Sequence, residues 1–349
     1  MKRLKLPTPR PRVSIDERRR RILAEVSVGG FFIPKGHPPI KNKFTRNFAY
    51  VIDGLIRKAS VTVYDEGGTG RTMATSDGSL AWATSAANEM QVPVFVQYGI
   101  GYTTPTITDN NLASPDLHIP TNYIDVVEEA DSTTIVCAGR WSPDASKEYR
   151  EVGLKLFTDI AANYVTLLAR TVFPSALPRS AFTIYFEGYA VKFPSNFTRW
   201  FVRALAFCAS GLRKRNARGV PCIAQDGSPF SLQVPQAFAG APDVMIGSNN
   251  APPSPTDYNL KAPIASLANQ AQTVEIDTAL QEARIVRYGT YTPSTNVTLG
   301  EIGLFANLNG FVAGSLAGRK TLLVRVALDT PVTLVPGTTY TLGIVIRLA

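Results

Sequence analysis

The sequence predicts a mainly β protein: two tandem antiparallel β-sandwich, jelly-roll-like domains, each opened by one amphipathic helix, behind an extended basic N-terminal arm. Three observations carry that expectation. Motifs of the first half return in the same order in the second half. Between helical openings, short stretches rich in β-branched and aromatic residues alternate with Gly, Pro, Asn and Ser turns. Basic charge is gathered at the N-terminus, while the body is nearly neutral.

The repeat sets the domain limits. Phe44-Thr45-Arg46-Asn47-Phe48 returns as Phe197-Thr198-Arg199-Trp200-Phe201. Gly99, Pro105, Asp109, Leu112 and Pro115 match Gly247, Pro253, Asp257, Leu260 and Pro263 at identical spacing. Glu151-Val-Gly-Leu154 pairs with Glu301-Ile-Gly-Leu304. Leu168-Ala-Arg170 with Phe182-Thr-Ile184 pairs with Leu323-Val-Arg325 and Tyr340-Thr-Leu342. Four collinear matches describe a tandem duplication. Residues 1–39 then form a basic arm and Pro-rich linker, 40–194 the first repeat and 195–349 the second.

Composition agrees. Of 349 residues, 45% are hydrophobic and 18% charged, below the usual charged share of about 25%. With 26 Gly and 25 Pro, this balance favours many short strands and a surface partly covered by neighbours. No apolar run approaches the roughly 18 residues of a membrane span. The basic N-terminus also lacks the apolar core of a signal peptide, so a soluble protein is expected. Cys137, Cys208 and Cys222 have no paired spacing and read as buried small hydrophobes.

The arm carries nine cations, Lys2, Arg3, Lys5, Arg10, Arg12, Arg18, Arg19, Arg20 and Arg21, against Asp16 and Glu17, giving +7 of the net +9. Pro7, Pro9 and Pro11 keep its first part extended. Ser14 with Glu17 has capping-box spacing, and Ile15, Ile22, Leu23 and Val26 share one helical face, so a short helix is expected there, ended by Gly29-Gly30. Pro34, Pro38 and Pro39 stiffen the linker.

Each repeat opens with a helical pattern. Phe44, Phe48, Val51, Ile52, Leu55 and Ile56 share one face; Phe197, Phe201, Leu205, Cys208 and Leu212 do the same. Both helices run into cations, Arg57-Lys58 and the patch Arg213, Lys214, Arg215 and Arg218, which suit a helix C-terminus or a partner surface. Strands follow at 59–64, 92–100, 122–127, 133–138, 164–172 and 181–193. In the second half they fall at 273–278, 282–292, 322–328 and 338–348.

Catalytic chemistry is poorly supplied. His37 lies in the linker and His118 in a loop, neither at ligand spacing from another His or Cys. Gly99-x-Gly101 runs into Thr103-Thr104-Pro105, a turn-rich loop and no phosphate-binding helix. Asp125, Glu128, Glu129 and Asp131 read as a hairpin tip or an interface acid patch ahead of a cation site. Asn196 and Asn296 match glycosylation acceptors, but Thr198 serves the start of a helix. Glu151 with Arg170, and Glu301 with Arg325, are expected as cross-strand structural ion pairs. No enzyme activity and no cofactor are expected.

Taken together, Phe44-Thr-Arg-Asn-Phe, Gly67-Gly-Thr-Gly-Arg71-Thr, Gly99-x-Gly with Asp109-x-x-Leu112, Glu151-Val-Gly-Leu, Leu168-Ala-Arg and Phe182-Thr-Ile-Tyr resemble virion structural proteins of tailed phages and archaeal viruses. The Gly67 to Thr72 segment shows no clear counterpart between Cys222 and Val244. The resemblance implies β-sandwich modules of a capsid, collar or tail, in homo-oligomers and with other virion proteins. It implies a virion location and no catalytic residue. The arm would clasp a neighbouring subunit or packaged nucleic acid. Two other classes stay open: a carbohydrate-binding attachment protein, with Trp82, Tyr98, Tyr102 and Trp141 stacking on sugars, and a cellular nucleic-acid-binding protein.

Overall fold

A computed structural model of the chain describes residues 12–16, 20–73, 94–121, 123–159, 164–210, 220–232, 238–240, 242–312 and 315–348. They are mainly β, with two helices among the described residues. The first half runs β1 (Arg12–Asp16), β2 (Arg21–Ile33), β3 (Ile40–Lys41), β4 (Lys43–Phe44), α1 (Arg46–Arg57), β5 (Val61–Tyr64), β6 (Gly70–Met73), β7 (Val94–Gly99), β8 (Pro115–Pro120), β9 (Tyr123–Glu128), β10 (Ser132–Trp141), β11 (Lys147–Asp159), β12 (Tyr164–Arg179) and β13 (Tyr185–Pro194). The second continues with α2 (Arg199–Ser210), β14 (Pro221–Ile223), β15 (Pro229–Leu232), β16 (Asp243–Gly247), β17 (Pro263–Ser266), β18 (Ala268–Asp277), β19 (Glu282–Tyr291), β20 (Val297–Val312), β21 (Ser315–Leu334) and β22 (Tyr340–Leu348).

The described residues of this segment correct the expectation of a helix. Residues 14–16 lie in β1 and 21–26 in β2, where Ile22, Ala24, Val26 and Val28 are buried in strict alternation. One buried face selects period two over the helical spacing of Ile15, Ile22, Leu23 and Val26. Gly29-Gly30, expected to end that helix, lies inside β2, and a Cβ on Gly30 would sit 2.0 Å from the Asn42 side chain.

β2 also joins the two halves. Its first part pairs in parallel with β22, from Arg21↔Thr341 to Val28↔Leu348, and its second part pairs antiparallel with β13, from Gly29↔Lys192 to Ile33↔Gly188. A sheet ordered β18-β19-β22-β2-β13-β10-β9 thereby crosses the molecule. In the first half it faces the sheet β4-β12-β11-β7-β8. Tyr98 of β7 reaches Glu187 of β13, and Tyr189 of β13 reaches the Val152 carbonyl of β11. The second half adds β14-β15-β20-β16-β17, with β21 on β20.

The helices are exchanged. α1 packs on β5 and β12 of its own half and on β18 and β19 of the other, whereas α2 packs on β21 and on β9 and β10. The hairpins β9-β10 and β18-β19 occupy equivalent places, so each half covers the same hairpin of its mate. Gln272 Nε2 donates to Asp53 Oδ1 of α1 at 2.7 Å, and Arg203 Nε of α2 donates to Glu128 Oε1 at 2.6 Å. One hydrophobic core runs through both halves. Among its apolar walls is a cavity of about 60 Å³, lined from α1 by Phe48, Val51 and Leu55 and from α2 by Leu205 and Ala209.

Two details of the repeat change. The tip of the β14-β15 hairpin, Asp226-Gly227-Ser228, is the counterpart of the Gly67 to Thr72 segment that the sequence did not reveal. Gly68 and Gly227 take φ of 80° and 83°, and Gly68 N–H and Gly227 N–H donate to Asp65 and Ala224 carbonyls. Tyr340 matches Tyr185, three residues beyond Phe182: each phenol oxygen accepts from a backbone N–H five residues earlier, Ser180 and Val335. Phe182 then falls at the place of Gly337, and both have positive φ, 56° and 69°.

Candidate functional site

The repeated motifs converge on one buried node in each half. The chain enters α1 through Thr45, whose N–H donates to the Leu168 carbonyl at 2.9 Å and whose hydroxyl turns to Leu167 and Leu168 of β12. Thr198 does the same on β21, with its N–H on the Leu323 carbonyl at 2.9 Å and its Oγ1 on the Leu322 carbonyl at 2.6 Å. Phe-Thr-Arg thus docks on Leu-x-Arg. The hydroxyls bind the sheet, which is why Thr is used at these two helix starts.

Two residues along, the arginine of Leu-x-Arg points to the carboxylate of Glu-x-Gly-Leu. Arg170 Nε donates to Glu151 Oε2 at 2.8 Å, and Nη1 to Asp109 Oδ2 at 2.8 Å. Glu151 also accepts from Gly101, Ala113 and Ser114 amides at 3.1, 3.1 and 2.7 Å. In the second half, Arg325 Nε donates to Glu301 Oε2 at 2.6 Å and Nη1 to Asp257 Oδ2 at 3.1 Å. Glu301 accepts from Lys261 and Ala262 amides. Both glutamates are fully buried. The pairs are diagonal across the ladder, because Gly153 lies opposite Arg170 and Gly303 opposite Arg325.

The spacing of the loop motif follows from this node. A Cβ on Gly99 or Gly247 would meet Oε1 of Glu151 at 2.7 Å or of Glu301 at 2.5 Å. Leu112 and Leu260 lie over Gly153 and Gly303, where a Cβ would come within 2.9 and 2.7 Å. Asp109 and Asp257 accept from the backbone N–H three residues before them, Thr106 and Ser254, so each closes its own turn as well as the ion pair. The Gly99-x-Gly101 turn therefore cradles an anion of the protein itself. Asp109 and Asp257 were visible as repeated residues, but nothing in their spacing told of a carboxylate aimed at a guanidinium.

The nodes differ in detail: the Gly101 amide on Glu151 has no counterpart among the amides that Glu301 accepts from. Arg170 Nη2 donates to Thr103 Oγ1 at 2.9 Å. Ala251 stands at the matching place in the second half, and Arg325 Nη2 is buried without a partner among the described residues.

The remaining expected residues are spread out. Of the arm, Arg12 lies in β1, Arg20 in the β1-β2 turn at φ 51° and Arg21 at the start of β2. Lys2, Arg3, Lys5, Arg10, Arg18 and Arg19 lie outside the described residues, as do Arg213, Lys214, Arg215 and Arg218. The acid turn contributes Glu128 to Arg199 and Arg203 of α2, at 3.0 and 2.6 Å. No group of three or more His, Cys, Asp or Glu among the described residues is placed to hold a metal ion. His118 is on β8, not in a loop, with its ring centroid 4.1 Å from Phe95. Of the proposed sugar-stacking aromatics, Tyr98 and Trp141 are buried, Tyr102 is exposed and Trp82 is outside the described residues. Asn196 is buried, its amide on the Arg325 carbonyl, so it presents no acceptor for glycosylation. Burial pushes the thiols of Cys137 and Cys222 up to about 12, which leaves them unreactive.

Two buried polar groups were missed because they are not duplicated. Glu187 takes Arg179, Tyr98 Oη at 2.6 Å, Trp141 Nε1 at 3.3 Å and the Lys35 amide at 2.7 Å. Lys155 of β11, fully buried, is held by Glu66, Gln97 and Asn111, which tie the β5-β6 hairpin and the 100–114 loop to the sheet. Burial lowers its pKa, against the raising effect of Glu66.

No protein-family model matches the chain, and no curated protein matches it. Among solved structures, a 2'-deoxycytidine 5'-triphosphate deaminase from Agrobacterium tumefaciens aligns with 76% of this chain and 90% of its own at 9% identity. The TM-score is 0.13, too low to carry an argument about fold or activity. No described helix is long and apolar enough to cross a membrane.

Proposed function

We propose that the chain is a virion structural subunit, built of two tandem sandwich-like repeats that assemble with further copies through loops and sheet edges. The observation that supports it best is where the duplicated chemistry lies. The repeated Asp, Glu and Arg of the loop and strand motifs are spent inside, on a loop-to-sheet tether in each half. The surface of the first repeat includes exposed apolar groups: Phe182, Ile184, Phe186 and Tyr123 are 80%, 48%, 40% and 38% exposed. Exposed aromatic groups of this kind favour a contact surface. The motif resemblance supplies the virion setting, and the cationic arm the means to hold a neighbour or packaged nucleic acid.

Sedimentation velocity and light scattering across a range of protein concentrations, with electron microscopy of the largest species, test the reading. A discrete oligomer, ring or lattice is expected. A chain that stays monomeric under all these conditions would refute it.

A further inference from the structure

We propose that the N-terminal segment of a second copy, centred on Leu6 to Arg10, adds as an edge strand to β9; this rests on the assembly reading above. β9 ends the long sheet, and among the described residues it pairs only with β10. The Val126 amide donates to its neighbour Asp125 Oδ1 at 2.8 Å, outside the β10 ladder. Extended backbone alternates, so Ile124 and Glu128 share that outward edge. Beside it a groove of about 510 Å³ runs between β9 and α2, floored by Ile124, Val126, Ala206 and Phe207. A strand edge flanked by a helix is the geometry that takes extended peptides by β-addition.

The segment that fits is in this sequence. Residues 1–11 lie outside the described residues; their prolines, Pro7, Pro9 and Pro11, recur at period two. In an extended chain such prolines strip the donors from one edge and leave those of Leu6, Thr8 and Arg10 on the other. A strand of that kind pairs on one side only and ends a sheet. Three outward residues on β9 meet three intact donors. Residues facing each other across a ladder point their side chains to one face, so Leu6 and Thr8 enter the groove beside Ile124 and Val126. The prolines then lie over exposed Tyr123 and Val127. Charge agrees too: Lys2, Arg3, Lys5 and Arg10 meet Asp125, Glu129 and Asp131 of the acidic tip, Glu128 being held by Arg199 and Arg203.

The donor must be another copy. Arg12 is paired with Glu25 on β2. A place next to β9 is at least three strand spacings farther across the sheet, about 14 Å, whereas the two steps from Arg10 to Arg12 span at most about 7 Å.

The test uses the full-length chain with a photoreactive phenylalanine analogue replacing Leu6, mixed with isotopically labelled protein. Links between chains to β9, or to Ala206 and Phe207, are expected. Links within one chain, to another surface or to nucleic acid overturn the proposal, as does their absence. Thr8→Pro with Arg10→Pro alters only the arm and should abolish the links and the assembled species. Val126→Pro removes the outward amide and should do the same from the other side, provided circular dichroism shows it folded; if it is unfolded, the arm variant decides. Should wild type and the arm variant assemble equally, this inference fails and the assembly reading survives. A monomeric wild type sinks both.

Discussion

The unpartnered Nη2 of Arg325 marks a place where the two copies of the node are unequal in hydrogen bonding. Ala251→Thr restores the hydroxyl that Thr103 supplies and should raise stability by about 1 kcal/mol, read as a higher denaturant midpoint. Arg170→Ala does the reverse. It leaves Glu151, fully buried, without its cation, and should cost about 3–5 kcal/mol; unchanged thermal unfolding would remove the pair from this account. Phe182 occupies a left-handed turn position that its mate gives to Gly337. Phe182→Gly should therefore keep or raise stability by up to about 1 kcal/mol, strain relief outweighing chain entropy, while weakening any contact made by the exposed ring. His118 supplies a pH dependence. Burial, and then Lys155, lower its pKa below the ordinary 6.5. Between those two values the unfolded chain binds more protons, so stability falls as pH drops below about 6.5. His118→Gln should flatten that limb in urea titrations at successive pH values.

Among the described elements, the two helices and ten of the 22 strands were legible for a physical reason. α1 and α2 show broad apolar faces at helical spacing, and strands such as β9 and β10 flank a turn of acids that cannot be buried. β2 was not. Ile22, Ala24, Val26 and Val28 alternate, but Ala24 is small and Leu23 apolar on the opposite face, so the stripe blurs into a helical one, and Ser14 with Glu17 imitates a cap. The node was half legible. Glu and Arg recur at fixed spacing within strands, whereas Asp109 and Asp257 gain their role from loops that fold back, which no period encodes. Glu187 and Lys155 left no trace because neither has a counterpart: Phe305 takes the place of Lys155 and packs in a small apolar cluster. The exchange of helices between halves is a long-range contact, invisible to any local pattern.

At the scale of the molecule, the halves resemble a closed dimer joined into one chain: equivalent surfaces cover one another, as in a two-fold pair. A continuous core and a shared β2 make separate unfolding costly. Calorimetry should show a single transition, whereas two resolved transitions would indicate that the halves are independent. For the same reason residues 195–349 expressed alone should be insoluble or partly folded, having lost both the cover of α1 and the neighbour of β22.

The seam strand also sets an order of events on the ribosome. Glu25 and Arg347, joined across it, stand 322 positions apart. At ordinary rates of synthesis that interval lasts on the order of half a minute. During it, the second part of β2 can close on β13 as soon as the first repeat is complete, while the part from Arg21 to Val28 waits with an open edge. A nascent chain held in that state invites pairing with the wrong strand, and so depends on the timely arrival of β22.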